Sequence, residues 1–370
     1  MNILITGSKG FVGRNLVARL KRFEGLTLYE YDLGNDVAVL DEGLRRADVI
    51  FHLAGVNRPQ VAEEFHVGNT GSTEEICRKL LKSGRRPKIV LSSSIQAELN
   101  NPYGVSKRNA EEVLRRFAGE AGASCVAYRF KNLFGKWCRP DYNSVTATFC
   151  HHIAHGLPIQ ISDPLNELEL TYIDDVVAAF VKELDGLGDT GFRFAAQLPS
   201  YRVSLGRLAE TIHSFRDVRT SLHLPDFSQP FIRALYATYL SYLAEDNFGY
   251  TLKQVSDDRG VLAEFMKSPH VGQIFVSRTR PGITRGNHYH DSKVEKFMVL
   301  EGDAIIRFRH ILNGKVIEYR VSGREFKAVD IPPGYTHSIE NVGKTEMVVL
   351  FWADEVFDRD KTDTFIEKKI

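Results

Sequence analysis

The chain has 370 residues, 43% hydrophobic and 26% charged, too long for the roughly 100–200 residues of one domain and too apolar for disorder, so two folded, soluble domains are expected. Its 48 Lys and Arg against 47 Asp and Glu leave a formal charge of +1, which removes nucleic acid as the main partner. No uninterrupted apolar run of about 18 residues, the length needed to span a bilayer, occurs in the chain, and the four cysteines lack Cys-x-x-Cys spacing while the chain opens directly into Asn2-Ile3-Leu4-Ile5; the expectation is a reduced cytoplasm with no membrane partner.

In chain order, short apolar runs alternate with amphipathic segments: Asn2 to Thr6, Phe11 to Phe23, Leu26 to Tyr31, Val49 to Ala54, Thr73 to Lys82, Lys88 to Ser92, Tyr103 to Ala118 and Ser124 to Arg129. This β-α-β alternation predicts a parallel sheet covered by helices. Pro230 to Leu243 reads as an amphipathic helix, and a boundary falls near Glu245 to Tyr250. Beyond it come short alternating stretches, Gly272 to Arg278, Glu295 to Leu300, Ala304 to Arg309, Val316 to Val321 and Glu346 to Trp352, broken by turn residues. They predict an antiparallel barrel or jelly roll. The histidines agree with this change of texture, since five of the twelve lie after residue 269.

The first strand runs into Gly7-Ser8-Lys9-Gly10-Phe11-Val12-Gly13, which opens a helix. Glycines there let a pyrophosphate approach the backbone, and the helix N-terminus offers free N–H groups. A dinucleotide site follows. Asp32, closing the second strand, suits a ribose 2′-hydroxyl and hence NAD, whereas Lys9 and Arg14 suit a 2′-phosphate; both remain open. Further along, Tyr103 and Lys107 stand four apart on one helix face, so the ammonium is expected to lower the phenol pKa and fit Tyr103 for proton transfer. They follow Ser92-Ser93-Ser94, whose hydroxyls belong at the carboxyl edge of the sheet.

These features resemble the extended short-chain dehydrogenase/reductase family, in the glycine trio, His52-Leu53-Ala54-Gly55, Asn69, the serine run, Pro102-Tyr103-Gly104-x-Ser106-Lys107, Arg129-x-x-Asn132-x-x-Gly135 and Tyr172-Ile173-Asp174-Asp175-Val176. The resemblance covers residues 1–243 and implies a Rossmann α/β domain. It implies Tyr103 as acid/base, Lys107 on the nicotinamide ribose, and Ser94, with Ser93 second, on the substrate oxygen. The implied cofactor site comprises Gly7, Lys9, Gly10, Phe11, Val12, Gly13, Arg14, Asp32, Asp36, Leu53, Ala54 and Gly55, together with Tyr103 and Lys107. Related sugar-nucleotide 4,6-dehydratases carry Asp-Glu after the hydroxyl residue; Ile95-Gln96 stands here. Dehydration is disfavoured, leaving 4-keto reduction or 4-epimerisation. Asn132 and Asn143-Ser144-Val145-Thr146 fall where such enzymes hold the nucleotide diphosphate.

In the second half, Gly282 to Glu295 contains His288, His290 and Glu295, and Pro332 to Asn341 adds His337. Two histidines two apart in a strand share a side, and three imidazoles with one carboxylate suit Zn, Fe, Mn or Ni. These segments look like the paired signature of the cupin superfamily, although Phe326 replaces the opening glycine of the second. The resemblance implies metal on His288, His290, Glu295 and His337. Deoxysugar 3,5-epimerases of the same superfamily instead use the first histidine of Arg-Gly-x-His as a base without metal, and Arg285-Gly286-Asn287-His288 fits that too. Further acid/base candidates are Lys296, Tyr289, Tyr335 and Asp258.

A reductase fused to a C-terminal cupin, domains 1–243 and 247–370, is similar to the CapF-type bifunctional enzymes of capsular polysaccharide synthesis. That family implies C3 epimerisation of UDP-2-acetamido-2,6-dideoxy-4-hexulose in the cupin, then reduction of its C4 ketone with NADPH to UDP-2-acetamido-2,6-dideoxy-L-talose, on the route to UDP-N-acetyl-L-fucosamine. It also implies zinc and a homodimer. The alternative is a single-function 4-reductase or 4-epimerase whose cupin only binds sugar or dimerises.

Overall fold

The computed structural model describes every residue except Leu187 and Arg359. The chain forms two compact units, Met1–His213 with Arg233–Ala244, and Ser214–Ile232 with Glu245–Ile370. The division is therefore not a single cut near residue 243. Ser214–Ile232 joins the second unit because Lys267 N–H donates to the Leu222 carbonyl and Leu224 N–H donates to the Lys267 carbonyl, both at 2.8 Å.

The first unit holds β1 (Asn2–Thr6), β2 (Thr27–Tyr31), β3 (Val49–His52), β4 (Lys88–Ser94), β5 (Ser124–Phe130), β6 (Asn132–Phe134), β7 (Glu167–Tyr172), β8 (Gly191–Phe194) and β9 (Tyr201–Ser204). Its main sheet runs in the order β2-β1-β3-β4-β5-β8 and is parallel throughout, as the alternation predicts. Strand side chains alternate: Ile3 and Ile5 pack on one face with Leu16, Leu20 and Phe180, and Leu4 on the other with Leu80, Leu114 and Phe117. Burial on both faces explains the uninterrupted apolar runs. The chain reverses its direction of winding between β1 and β3, the place where ligands bind in such sheets.

The second unit contains β10 (Gln254–Asp257), β11 (Gly260–Ser268), β12 (Gly272–Thr279), β13 (Thr284–Tyr289), β14 (Glu295–Glu301), β15 (Asp303–His310), β16 (Val316–Ser322), β17 (Ala328–Ile331), β18 (Tyr335–Asn341), β19 (Met347–Ala353) and β20 (Phe365–Ile366). They form two antiparallel sheets, β10-β11-β12-β19-β14-β17 and β16-β15-β18-β13-β20. Phe297, Val349 and Phe351 of the first sheet share a core with Ile306, Phe308 and Ile339 of the second. Among the described residues no helix is long and apolar enough to cross a membrane.

Candidate functional sites

At the β1–β3 reversal, Gly7 takes φ +71°, and a Cβ on it would lie 2.6 Å from the Ala54 nitrogen. A Cβ on Gly13 would lie 2.1 Å from the Gly7 carbonyl oxygen. Both positions therefore require glycine, the first for the turn and the second to seat the helix against it. Gly10 caps helix Phe11–Leu20 without any side-chain hydrogen bond, leaving the first N–H groups of the helix for a ligand.

Beside this turn a cavity of about 500 Å³ is lined by Ser8, Lys9, Arg14, Lys21, Glu30 and Trp137. Glu30 neutralises Lys21 at 2.7 Å, whereas Lys9 and Arg14 have no acidic partner among the described residues. The Asp32 carboxylate accepts from the backbone N–H groups of Lys9 at 2.6 Å and Leu33 at 2.8 Å. It fixes the loop. Asp36 caps helix Val37–Arg46, its carboxylate accepting from Ala38 N–H at 2.9 Å.

The Tyr103 and Lys107 pair sits in helix Pro102–Ala121, started by Pro102 at its first turn and by Asn101, whose side chain accepts from Gly104 N–H at 2.7 Å. Serines 93 and 94 face opposite ways, as successive strand residues must. Ser94 hydrogen-bonds Tyr103. Ser93 donates to Glu111 at 2.5 Å, in a group that Arg129 completes through two further bonds to that carboxylate. Lys107 donates to the Ser92 carbonyl at 3.1 Å, and a Cβ on Gly55 would come within 3.0 Å of its Nζ.

The expected lowering of the Tyr103 pKa is corrected. Burial pushes the phenol up, with the Ser94 hydrogen bond opposing it. The Lys107 ammonium lies 5.9 Å from the ring centre and is itself brought down to about 8 by burial, against the pull of Glu111. Desolvation outweighs the expected charge effect. A phenol that stays protonated is a proton donor, the form that reduction of a ketone needs.

Asn69 has a definite structural task. Within a π-helical turn, His66–Gly71, its side chain both accepts from and donates to the Val56 backbone and donates to Ser106 Oγ at 2.9 Å. It thereby joins the loop after β3 to the Tyr103 helix. Such π turns mark functional sites, but no residue pattern announces one. Asn132 and Asn143 are exposed, and Ser144 caps helix Val145–Ala154.

In the second unit, the ligating atoms of His288, His290, Glu295 and His337 all lie within 4.8 Å of one another. A β-bulge sets this up: the β13–β18 register slips between Gly286 and His288, with Asn287 at φ +64°, so that His288 stands opposite His337. The Nε2 atoms of His290 and His337 each lie 3.4 Å from Glu295 Oε2, and both are buried without a hydrogen-bond partner. Burial would raise the Glu295 carboxyl, but His290, His337 and Lys293 hold it well below the usual range. Burial, with the neighbouring imidazoles, brings His288 down to about 4. Imidazoles whose buried Nε2 atoms lack a hydrogen-bond partner, set around a carboxylate, fit a borderline divalent metal.

The cluster borders a cavity of about 190 Å³ lined by Phe275, Phe297 and Phe351 on its apolar side and by Arg259, Ser277 and Arg285 on its polar side. None of the four further acid/base candidates lines it. Lys296 is turned outward to Asp330, Tyr289 stacks on Phe365, Tyr335 packs against His310, and the Asp258 carbonyl accepts from Arg280. Lys293, overlooked in the sequence, instead meets Glu295 Oε1 at 3.2 Å.

The UDP-2-acetamido-2,6-beta-L-arabino-hexul-4-ose reductase of Pseudomonas aeruginosa is 45% identical over 365 residues, covering 99% of this chain and 98% of that protein. The family described as NAD dependent epimerase/dehydratase matches residues 3–189. The chain belongs to that family. The Polysaccharide biosynthesis C-terminal domain matches residues 255–365. The crystal structure of the capsular polysaccharide assembling protein CapF from Staphylococcus aureus superposes with a TM-score of 0.92 at 44% identity, covering 100% of both chains, so this is a CapF-type member across both units. UDP-glucuronic acid 4-epimerase from Bacillus cereus, at 17% identity and a TM-score of 0.51, covers 58% of this chain and 83% of its own; that likeness shows the fold of the first unit. Membership carries a nicotinamide cofactor as its general expectation.

Proposed function

We propose that the chain is a bifunctional nucleotide-sugar enzyme: its C-terminal unit inverts C3 of UDP-2-acetamido-2,6-dideoxy-4-hexulose, and its N-terminal unit then reduces the C4 ketone to give UDP-2-acetamido-2,6-dideoxy-L-talose for capsular polysaccharide synthesis. The observation that carries this reading is full-length similarity to a protein named for reducing a UDP-linked hexul-4-ose. The chain keeps a catalytic set in each unit.

In the first unit, bound NADPH supplies hydride to C4. Tyr103 donates its proton to the C4 oxygen, Ser94 holds that oxygen, and Lys107 holds the ribose next to Gly55. The turn around Gly7, Gly10 and Gly13, with Phe11 and Val12, receives the pyrophosphate; Leu53, Ala54 and Gly55 line the path from it to Tyr103. Lys9 and Arg14 receive the 2′-phosphate, a reading supported by their lack of acidic partners among the described residues and by the engagement of the Asp32 carboxylate with the backbone N–H groups of Lys9 and Leu33. The double variant Lys9→Ala, Arg14→Ala should raise KM for NADPH by about 10–100-fold, about 1.4 kcal/mol for each tenfold, and leave KM for NADH nearly unchanged. Equal losses with both cofactors would refute the assignment.

In the second unit, His288, His290, Glu295 and His337 would hold zinc, which when bound would supply positive charge to stabilise the electron density released when a base at the cavity takes the C3 proton, before a proton is returned to the opposite face to invert C3. The C4 ketone is what makes that proton acidic, so epimerisation precedes reduction. Incubating the 4-keto substrate with the protein in deuterated water, without NADPH, should place deuterium at C3. A correctly folded protein that gives no exchange would leave only a single-function reductase.

A further inference from the structure

The residue that organises the metal cluster from outside lies about seventy positions away, in the C-terminal segment. The Asp363 carboxylate accepts from the backbone N–H groups of Asp291 at 2.9 Å, Ser292 at 2.8 Å and Lys293 at 2.8 Å, and from the Ser292 hydroxyl at 2.9 Å. These bonds grip the loop between two members of the cluster, His290 and Glu295. The backbone carbonyl of the same residue accepts from His290 Nδ1. A proton held on Nδ1 leaves Nε2 bare, and that is the atom found buried and unpartnered beside Glu295. Beyond Asp363 the segment continues along β13: Ile366 pairs with His288, and Glu367 N–H donates to the Asn287 carbonyl at 2.9 Å.

We propose that Asp363 is a positioning residue for the metal site, clamping the 291–293 loop so that its own carbonyl fixes His290 in the tautomer that presents Nε2 to the metal. This rests on the metal reading above. The carboxylate serves the loop and the carbonyl serves the imidazole, so one residue sets both the place and the tautomer of a ligand. Outer partners of this kind typically govern metal affinity by 10–100-fold.

The test uses the full-length protein, stripped by a chelator and titrated with zinc(II) against a chromophoric competitor, with the cobalt(II) absorption spectrum as a second readout. Asp363→Ala should weaken zinc by about 10–100-fold and alter the cobalt spectrum. Asp363→Asn, nearly isosteric, loses part of the grip and should fall between it and wild type; it decides the matter if the alanine variant does not fold. Glu367→Ala, which removes a tail contact to Arg309 at 3.1 Å, should leave affinity unchanged. A lower melting temperature of the metal-free variants with unaltered zinc affinity and cobalt spectrum would overturn the proposal, reducing Asp363 to a structural clamp. Wild-type protein that binds no zinc would instead overturn the metal reading, and this inference with it.

Discussion

Tyr103→Phe should lower ketone-dependent NADPH oxidation by about 10²–10⁴, the usual contribution of a positioned proton donor, while solvent deuterium still enters C3 at the wild-type rate. The substitution removes one oxygen from a helix whose start is fixed independently by Asn101 and Pro102, so the fold should survive. What disappears is the proton for the C4 oxygen. Burial keeps that proton on the phenol near neutral pH, and Ser94 alone is a poor substitute because its hydroxyl is a much weaker acid. Parallel measurement of cofactor oxidation and C3 exchange separates the two sites. Loss of both together would show that the division of labour proposed here is wrong.

The opposite pattern is expected from Glu295→Gln. Its carboxylate supplies the negative charge around which the His290 and His337 nitrogens converge, and an amide there offers a metal one weaker oxygen and no charge. C3 exchange should fall by about 10²–10³, equivalent to several kcal/mol of lost stabilisation, and bound zinc should fall with it. Reduction of ketone that has already been epimerised should be untouched. An active, metal-free Glu295→Gln protein would return His288 to the role of base.

Much of both sites is legible in the residue order because their chemistry is carried by local patterns. Glycines at three-residue spacing, Tyr103 four before Lys107, and His288 two before His290 each lie within one turn or strand, where spacing alone fixes proximity. The fold classes are legible for the same reason, since period two and period 3.6 are local properties. What remained hidden depends on contacts between distant segments. The Tyr103 pKa is set by burial that no neighbouring residue announces. Lys296 and Lys293 look alike in sequence, and only strand alternation after Glu295 sends the first outward to Asp330 while the second returns to the carboxylate. Asp363 carries no motif. Nor does Ser214–Ile232, which reads as ordinary chain before the boundary yet bonds to Lys267.

That last segment bears on how such a protein could have been assembled by descent. The chain leaves the first unit after His213, returns at Arg233 and leaves again after Ala244. One recombination event at a single point would have joined two whole modules end to end. Here the second module owns residues that precede part of the first, so neither can be exchanged for a foreign counterpart at one breakpoint without stranding a stretch of its neighbour. A working exchange of the second module would have to carry Ser214–Ile232 along with Glu245–Ile370.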